Sequence, residues 1–290
     1  MAEEPSHEAG EAEVFDPFPS SGEDRQRQKR VPDTPQTRSP TYRLAFADAD
    51  FLTREEMRGV RLQLELAKPE IGLDEAGILS TVVLFGGARI PEPGKPALSA
   101  RNAVQARNLA AASRYYEEAR RFAQAASRHS QDLYEGREFV IVTGGGPGIM
   151  EAGNRGAADV GAKSIALNII LPHEQAPNLY ATPELCFNFH YFAIRKMHFL
   201  LRAKAMAIFP GGFGTMDEMF EALTLVQTGR MARIPILLFG EPFWRKVVDF
   251  QALAEAGTIA PEDMDLITFV DTAEEGWQAI ARFYAFEDPA

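Results

Sequence analysis

From about residue 78 onward, short apolar runs alternate with longer segments of helical periodicity. The apolar runs predict β-strands, and the segments between them predict α-helices. The predicted strands are 81–85, 139–142, 164–170, 205–209, 234–239 and 266–270. The predicted helices cover about 101–130, 149–160, 192–202, 215–228 and 243–255. Continuous apolar strands that alternate with helices indicate an α/β fold, with a mainly parallel sheet and helices on both faces.

The N-terminal part of the chain has a different pattern. Residues 1–45 contain few aliphatic side chains and many Pro, Ser, Glu and Arg residues. Such a segment buries too little apolar surface to offset chain entropy, so we expect a disordered acidic and polar tail. Residues 48–69 show a helical pattern, with acidic residues in the first turn. We therefore predict a tail at 1–45, a helical extension at 46–75 and one α/β domain at 76–290.

Two glycine-rich turns lie where a predicted strand ends and a helix begins. The first is Gly144-Gly-Gly-Pro-Gly148, and the second is Gly211-Gly-Phe-Gly-Thr215. Glycine lets the backbone approach a ligand closely, and a helix N-terminus offers unpaired N–H groups and a positive dipole end. Ligands bind at the carboxyl ends of the strands in open α/β sheets, so these turns suit a phosphate. Taken singly, each cluster could also be only a tight turn.

The spacing of the glycines favours a compact ligand. Neither turn matches Gly-x-Gly-x-x-Gly, because Ile149 and Asp217 occupy the last positions of that pattern. A Walker-type Gly-Lys-Ser/Thr is also absent from the sequence. A dinucleotide, or a nucleoside triphosphate held on a P-loop, is therefore disfavoured. Two separate short turns are better suited to one mononucleotide.

Charged residues stand beside the second turn and on the helix before its strand. Thr215-x-x-Glu218 fits a capping box, in which Glu218 would bond back to the backbone of Thr215. Alternatively, the Glu218 carboxylate lies at a phosphate-sugar site, where it stabilises positive charge on a ribose and activates water. Arg195 and Lys196 are either a solvated basic face or a clamp on phosphate and ribose.

Three segments taken together resemble the LOG ("Lonely Guy") family. These proteins are cytokinin riboside 5′-monophosphate phosphoribohydrolases, long mislabelled as lysine decarboxylases. The resemblance covers about residues 78–285 and includes every fixed position of the signature Pro-Gly-Gly-x-Gly-Thr-x-x-Glu. The acidic tail and the N-terminal helix resemble the long bacterial members. The segments that carry the resemblance are Gly144–Glu151, Phe192–Lys196 and Pro210–Glu218.

The resemblance implies both a fold and an activity. It implies a Rossmann-like nucleotide-binding catalytic domain and a homodimer or higher homo-oligomer. The implied reaction hydrolyses the N-glycosidic bond of AMP or a cytokinin riboside 5′-monophosphate, giving free base and ribose 5-phosphate. The family's catalytic pair corresponds to Arg195 and Glu218. Its phosphate and ribose contacts correspond to Gly144, Gly145, Gly146, Gly148, Met150, Lys196, Gly211, Gly212, Gly214 and Thr215.

Two questions stay open at this stage. Short family members usually carry Met-His-Glu before Arg-Lys, whereas this chain has Phe192-Ala-Ile194, so AMP and a cytokinin nucleotide are both candidate substrates. The alternative to an enzyme is a non-catalytic carrier of a nucleotide or of molybdenum cofactor, since such carriers share the loop pattern. A lysine decarboxylase would need a lysine that binds pyridoxal phosphate, and no sequence feature indicates one.

Charge and composition limit the classes of partner and cofactor that the sequence suggests. The chain has a net charge of −11, but eight acidic residues and no Lys or Arg lie in the first 24 residues, which leaves −3 for the rest. This disfavours polymeric nucleic acid and an anionic membrane as partners, but not a single nucleotide. Cys186 is the only cysteine, the five histidines lack a metal-binding spacing, and no apolar run reaches membrane length. We expect a cytoplasmic protein that needs no cofactor or metal.

Overall fold

The computed structural model describes residues 18–172 and 176–286. Among these residues, seven strands form one parallel sheet in the order β4-β3-β2-β1-β5-β6-β7. The strands are β1 (Thr81–Phe85), β2 (Val140–Thr143), β3 (Ser164–Ile169), β4 (Cys186–Phe189), β5 (Ala203–Ile208), β6 (Ile236–Phe239) and β7 (Ile267–Val270). The prediction of an α/β, Rossmann-like fold is confirmed.

Helices account for most of the remaining described residues. Four α-helices precede the sheet: α1 (Ser21–Gln28), α2 (Pro35–Arg38), α3 (Ala49–Leu52) and α4 (Arg58–Glu75). Eight follow β1: α5 (Ala103–Ala112), α6 (Arg114–Tyr134), α7 (Ile149–Asp159), α8 (Phe192–Leu201), α9 (Phe213–Gln227), α10 (Glu241–Val247), α11 (Phe250–Glu255) and α12 (Ala273–Tyr284). Short 3₁₀ helices lie at Pro40–Tyr42, Ala45–Ala47, Glu55–Met57, Pro183–Leu185 and Pro261–Leu266.

The sheet separates two apolar cores because successive strand residues point to opposite faces. In β1, Val82 and Leu84 belong to one core, and Val83 and Phe85 belong to the other. Helices α6, α7 and α12 cover the first face. Helices α4, α8, α9, α10 and α11 contribute to the second. All five residues of β1 are buried, which explains why its sequence is a continuous apolar run.

The strand order places a crevice between β1 and β5. On one side of β1 the chain proceeds through β2, β3 and β4, and on the other side it continues through β5, β6 and β7. The connections therefore run in opposite directions from β1 and β5. A reversal of this kind is where open α/β sheets bind ligands, at the carboxyl ends of the strands.

The N-terminal region differs in detail from the sequence prediction. The chain forms two compact units that divide between Arg61 and Leu62. The helix predicted at 48–69 is two helices, α3 and α4, and α4 continues through Pro69 to Glu75. Residues 1–17 of the predicted tail lie outside the described residues, whereas 18–45 include the capped helices α1 and α2. The division into tail, extension and domain stays a prediction.

Other boundaries also shift. The single helix predicted at 101–130 is α5 followed by α6, and the one at 243–255 is α10 followed by α11. Strand β4 is short and half-buried in part, and the apolar pattern did not reveal it. Within the described ranges, no helix combines the length and apolar character that a bilayer crossing requires.

The packing of α6 against α7 generates a first prediction. A Cβ atom at Gly156 would lie 2.2 Å from the carbonyl oxygen of Arg120 and 2.7 Å from Ala123 Cβ. We expect Gly156→Ala to lower the free energy of unfolding by about 1–3 kcal/mol, as overpacking does, although alanine favours helices. Gly59→Ala in α4 is the matched control, because a Cβ there would meet no atom within 4 Å. Equal thermal midpoints for the two variants would contradict this account.

Candidate active site

A cleft of about 1860 Å³ opens at the carboxyl ends of the central strands. The turns after β1, β2 and β5 and the ends of β3 and β4 line it. Its walls are mainly apolar with a small number of polar and charged groups, which is typical of small-molecule sites. The two glycine turns of the sequence therefore face one common space.

Gly87, in the turn after β1, joins the two glycine turns through its backbone. Its N–H donates to the carbonyl of Pro210 at 2.9 Å, and its carbonyl accepts from the N–H of Ile149 at 3.4 Å. A Cβ at Gly148 would lie 2.5 Å from the Gly87 carbonyl oxygen, so glycine is required at 148 for this approach. These contacts fix the start of α7 beside the start of α9.

A buried polar network shapes the first turn. Gly145 has φ of +75°, and its N–H donates to Thr143 Oγ1 at 2.9 Å. The Thr143 hydroxyl donates to Asn154 Oδ1 at 2.7 Å, and both of these residues are fully buried. Asn178 donates from Nδ2 to the carbonyls of Gly145 and Gly146 at 3.1 and 3.2 Å. Gly145 and Gly146 therefore bond to the protein, which sets the shape of the turn.

The second turn leads directly into α9, and its geometry differs from the capping box. Gly212 is the N-cap of α9, and no side chain caps the helix. Thr215 is the third helical residue, and it packs against Gly211, where a Cβ would lie 2.1 Å from Thr215 Oγ1. Of the two alternatives for Glu218, the capping box with Thr215 is therefore wrong. The helix begins earlier, at Phe213, which moves Thr215 from the cap to the third helical position.

Arg195 lies against the first turn from the side of α8. Its Nε donates to the carbonyl of Leu167 at 2.8 Å, and its guanidinium stands 5.1 Å from the centre of the Phe199 ring. A Cβ at Gly144 would lie 2.7 Å from a terminal guanidinium nitrogen and 2.8 Å from Met150 Sδ. The absent side chain of Gly144 thus leaves the space that the guanidinium fills at the edge of the cleft.

Glu218 is an acidic side chain of the cleft whose pKa is strongly shifted. It is 7% exposed, and it lies in the second turn of α9. The pKa of this carboxyl is raised from 4.5 to about 7, chiefly by burial and also by the charges of Glu221 and Asp217, while Lys196 and Arg195 oppose the rise. A carboxylate with such a pKa exchanges a proton near neutral pH, as a general base or acid must.

Lys196 is directed toward α9. Its Nζ contacts Asp217 Oδ2 at 2.9 Å and Glu221 Oε2 at 3.0 Å. Burial lowers the pKa of Lys196, but the hydrogen bonds to these two carboxylates outweigh it and raise the pKa above its ordinary value. The lysine is therefore a charged bridge between α8 and α9, and its charge also acts on Glu218.

The structure brings most of the predicted site residues to the cleft. Gly145, Gly146, Gly148 and Lys196 do not line it, because the first three shape the turn and Lys196 is bound to carboxylates. The predicted residues that line the cleft are Gly144, Met150, Arg195, Gly211, Gly212, Gly214, Thr215 and Glu218.

Sequence reasoning missed several polar residues of this region. Asn168 and Asn188 line the cleft at the ends of β3 and β4, and Asn168 donates to Cys186 Sγ at 3.1 Å. Asn168 interrupts the apolar run of β3 close to its carboxyl end. A polar residue at that end of a parallel strand could have been predicted to face the ligand site. Thr143 and Asn154 also escaped notice, because only the fold reveals that two polar residues eleven positions apart meet in the core.

Comparisons with known proteins bear on the same residues. A family model described as "possible lysine decarboxylase" matches residues 150–280, which include Arg195 and Glu218. Cytokinin riboside 5′-monophosphate phosphoribohydrolase LOG3 of Arabidopsis thaliana is 26% identical over 143 residues. Both matches agree with the resemblance of this chain to the LOG family. The second covers 48% of this chain and 65% of the LOG-family relative, just under two thirds of its length.

Solved structures resemble this chain at lower identity. A molybdenum cofactor carrier protein from Chlamydomonas reinhardtii is 18% identical, with a TM-score of 0.45, and the match covers 71% of this chain and 98% of that one. An X-ray structure of a structural-genomics target is 16% identical, with a TM-score of 0.44, over 70% of this chain and 99% of its own.

The raised pKa of Glu218 predicts how stability depends on pH. The folded protein binds this proton more tightly than the unfolded chain, so the stabilisation is complete below about pH 4.5 and is lost as pH rises to about 7. Glu218→Gln has no charge to bury at any pH. We expect it to be more stable than the natural protein at pH 8, by up to about 3 kcal/mol at about 1.4 kcal/mol per pKa unit.

Chemical unfolding at pH 8 and pH 5 checks this expectation, and the gain should shrink toward the lower pH. Glu75→Gln, at an exposed position of α4, controls for the removal of a solvated carboxylate. A loss of stability in Glu218→Gln at pH 8 would mean that the carboxylate has a structural role in the folded protein.

Proposed function

We propose that the protein hydrolyses the N-glycosidic bond of an adenine-type nucleoside 5′-monophosphate, giving free base and ribose 5-phosphate. The observation that carries this proposal is the buried Glu218 carboxylate in a cleft beside two helix N-termini that no side chain caps. The geometry of the site and the similarity to LOG3 support the same reaction, because the LOG3 relative is named as a phosphoribohydrolase.

The phosphate would bind between the starts of α7 and α9. Gly212, the N-cap of α9, lines the cleft, and no side chain caps this helix. Gly148 is the N-cap of α7, whose first N–H, that of Ile149, donates to the Gly87 carbonyl, so α7 would act mainly through the positive end of its dipole beside Met150. Helix N-termini of this kind attract anions through both hydrogen bonds and the dipole. Arg195, at the edge of the same cleft, adds a fork of donors that suits phosphate and ribose oxygens.

Glu218 is the proposed catalytic acid-base group. Cleavage breaks the bond from ribose C1′ to the base nitrogen, and the electron pair of that bond leaves with the base. A bond from C1′ to a water oxygen forms in its place, the water gives one proton to Glu218, and the departing base takes up a proton from solvent, to which Glu218 then returns its own. Positive charge develops on the ribose meanwhile, and a nearby carboxylate stabilises it. Binding energy from the anchored phosphate holds the reacting bond at Glu218.

Lys196 has a supporting role in this scheme. Its ammonium offsets the charges of Asp217 and Glu221, which would otherwise repel the Glu218 carboxylate and raise its pKa further. We therefore assign Lys196 to the electrostatic tuning of Glu218 rather than to direct contact with phosphate. A homodimer or larger assembly and a cytoplasmic location remain part of the proposal, on the strength of the sequence expectations.

The catalytic role of Glu218 is tested by Glu218→Gln. This change keeps the size of the side chain but removes its charge and its capacity to accept a proton. We expect the rate of AMP hydrolysis to fall at least about a hundredfold, equivalent to about 3 kcal/mol of barrier. Release of adenine measures the rate, and calorimetric titration with AMP shows whether the nucleotide still binds. Unchanged turnover would exclude Glu218 as the catalytic carboxylate.

The substrate class is tested with a panel of nucleotides. We expect base release from AMP or from isopentenyladenosine monophosphate, and little from GMP or CMP. Adenosine is the matched control, because it lacks the phosphate that the two helix N-termini and Arg195 would hold, and its kcat/KM should be lower by at least about a hundredfold. Binding of nucleotides without release of any base would instead support the non-catalytic carrier.

A further inference from the structure

Helix α8 begins without a cap of its own, and a residue from α4 supplies one. Tyr191 is the N-cap of α8, and no side chain of α8 or its N-cap bonds to the free N–H groups. The carboxylate of Glu65, on α4, accepts from the N–H of His190 at 2.8 Å and from the N–H of Tyr191 at 3.0 Å. A carboxylate at a helix N-terminus is favourable because it satisfies donors and opposes the positive dipole end.

The contact at Glu65 lies one hydrogen bond away from Arg195. The carbonyl of Tyr191 accepts from the N–H of Arg195 at 3.2 Å, as the first turn of the helix requires. The N–H of Tyr191 is held by Glu65 at the same time. The peptide groups on both sides of Tyr191 are therefore fixed between the α4 carboxylate and the backbone of Arg195.

A second contact from the same residue lies on the other side of Arg195. His198, three residues later and 5% exposed, donates from Nε2 to the backbone carbonyl of Glu65 at 3.1 Å, because a carbonyl oxygen can only accept. Glu65 therefore holds α8 by its side chain before Arg195 and by its backbone after it.

The far end of α8 is also held by α4. Arg202, the C-cap residue of α8, donates from Nη2 to Glu70 Oε2 and to Asp74 Oδ1, each at 2.8 Å. Contacts from α4 thus run along the whole of α8, and the one nearest to Arg195 is that of Glu65. Of these carboxylates, Glu65 is the one whose removal would free the first turn of α8 while leaving the far end bound.

We propose that Glu65 is a positioning residue, which holds the first turn of α8 so that the Arg195 guanidinium faces the cleft. This inference rests on the proposed function. The Arg195 side chain is tethered to β3 through its Nε at the Leu167 carbonyl, and the path of its backbone decides how far the guanidinium reaches beyond that tether. Displacements of about 1 Å in a positioning element are enough to slow an enzyme substantially. Helix α4 then contributes to the function of the site through Glu65, in addition to packing on the sheet.

The experiment compares Glu65→Ala, Glu65→Gln and the natural protein, with Glu75→Gln on the same helix as control. Hydrogen exchange is measured for the amides of residues 190–196, and kcat and KM are measured with AMP. We expect Glu65→Ala to speed exchange of these amides about tenfold or more and to lower kcat/KM about tenfold. Glu65→Gln keeps one acceptor oxygen, so both effects should be intermediate. The control should match the natural protein in both readouts.

Several results would overturn the proposal in different ways. Unchanged exchange at 190–196 in Glu65→Ala would show that Glu65 does not hold the start of α8. Faster exchange with unchanged kcat/KM would show that the first turn does not position Arg195 for catalysis. If the natural protein hydrolyses no nucleotide, the proposed function fails, and with it the claim that Glu65 positions Arg195 for catalysis. The exchange result still decides whether Glu65 holds the start of α8. A drop in activity with uniformly faster exchange would indicate general destabilisation and also contradict a local role.

Discussion

The backbone of Gly87 is the interaction on which the site depends. It donates to the turn after β5 and accepts from the start of α7, so that two turns more than sixty residues apart in sequence lie side by side. This arrangement is possible only where β1 and β5 are neighbours, at the point where the strand order reverses. A side chain at Gly148 would meet the Gly87 carbonyl and push the turns apart. These two hydrogen bonds and the close approach of Gly148 hold both helix N-termini beside one cleft.

The burial of Glu218 has an energetic cost that the surroundings only partly offset. Taking the carboxylate out of water raises its pKa to about 7, although two cations act against the rise. Asp217 and Glu221 engage Lys196 and so limit the help it can give to Glu218. A residue held at such a cost, in a cleft and without a capping role, fits a functional group better than a structural one. Stability and function would then oppose each other at this position.

Much of the fold was predictable because the central strands are buried on both faces and appear as continuous apolar runs. The two glycine turns were predictable as one ligand site because both lie at strand-to-helix junctions, and Glu218 was predictable because it follows the second turn within the signature Pro-Gly-Gly-x-Gly-Thr-x-x-Glu. Strand β4 was not predicted from the sequence, because Cys186–Phe189 has only four residues and lacks a continuous apolar run. The start of α9 at Phe213 was not predicted, because Thr215-x-x-Glu218 satisfies the capping rule locally. In the structure Gly212 is the cap, and Gly211 and Gly87 make the tertiary contacts that surround it.

The role of Lys196 and the contribution of Glu65 depend on contacts that no local pattern contains. Lys196 and its two carboxylate partners lie on different helices, and Glu65 is 126 residues from Tyr191. Adjacent residues in sequence, Arg195 and Lys196, point to different partners because successive side chains on a helix diverge by about 100°. Only the packing of α4, α8 and α9 on one face of the sheet decides which of them reaches the cleft.

The most direct test of the central claim is a crystal structure of the Glu218→Gln variant bound to AMP. The account predicts that the phosphate lies between the N-terminal ends of α7 and α9 within reach of Arg195, and that the substituted side chain at position 218 lies beside ribose C1′. A nucleotide bound in the cleft with its phosphate away from both helix N-termini, or with its ribose far from position 218, would contradict the account.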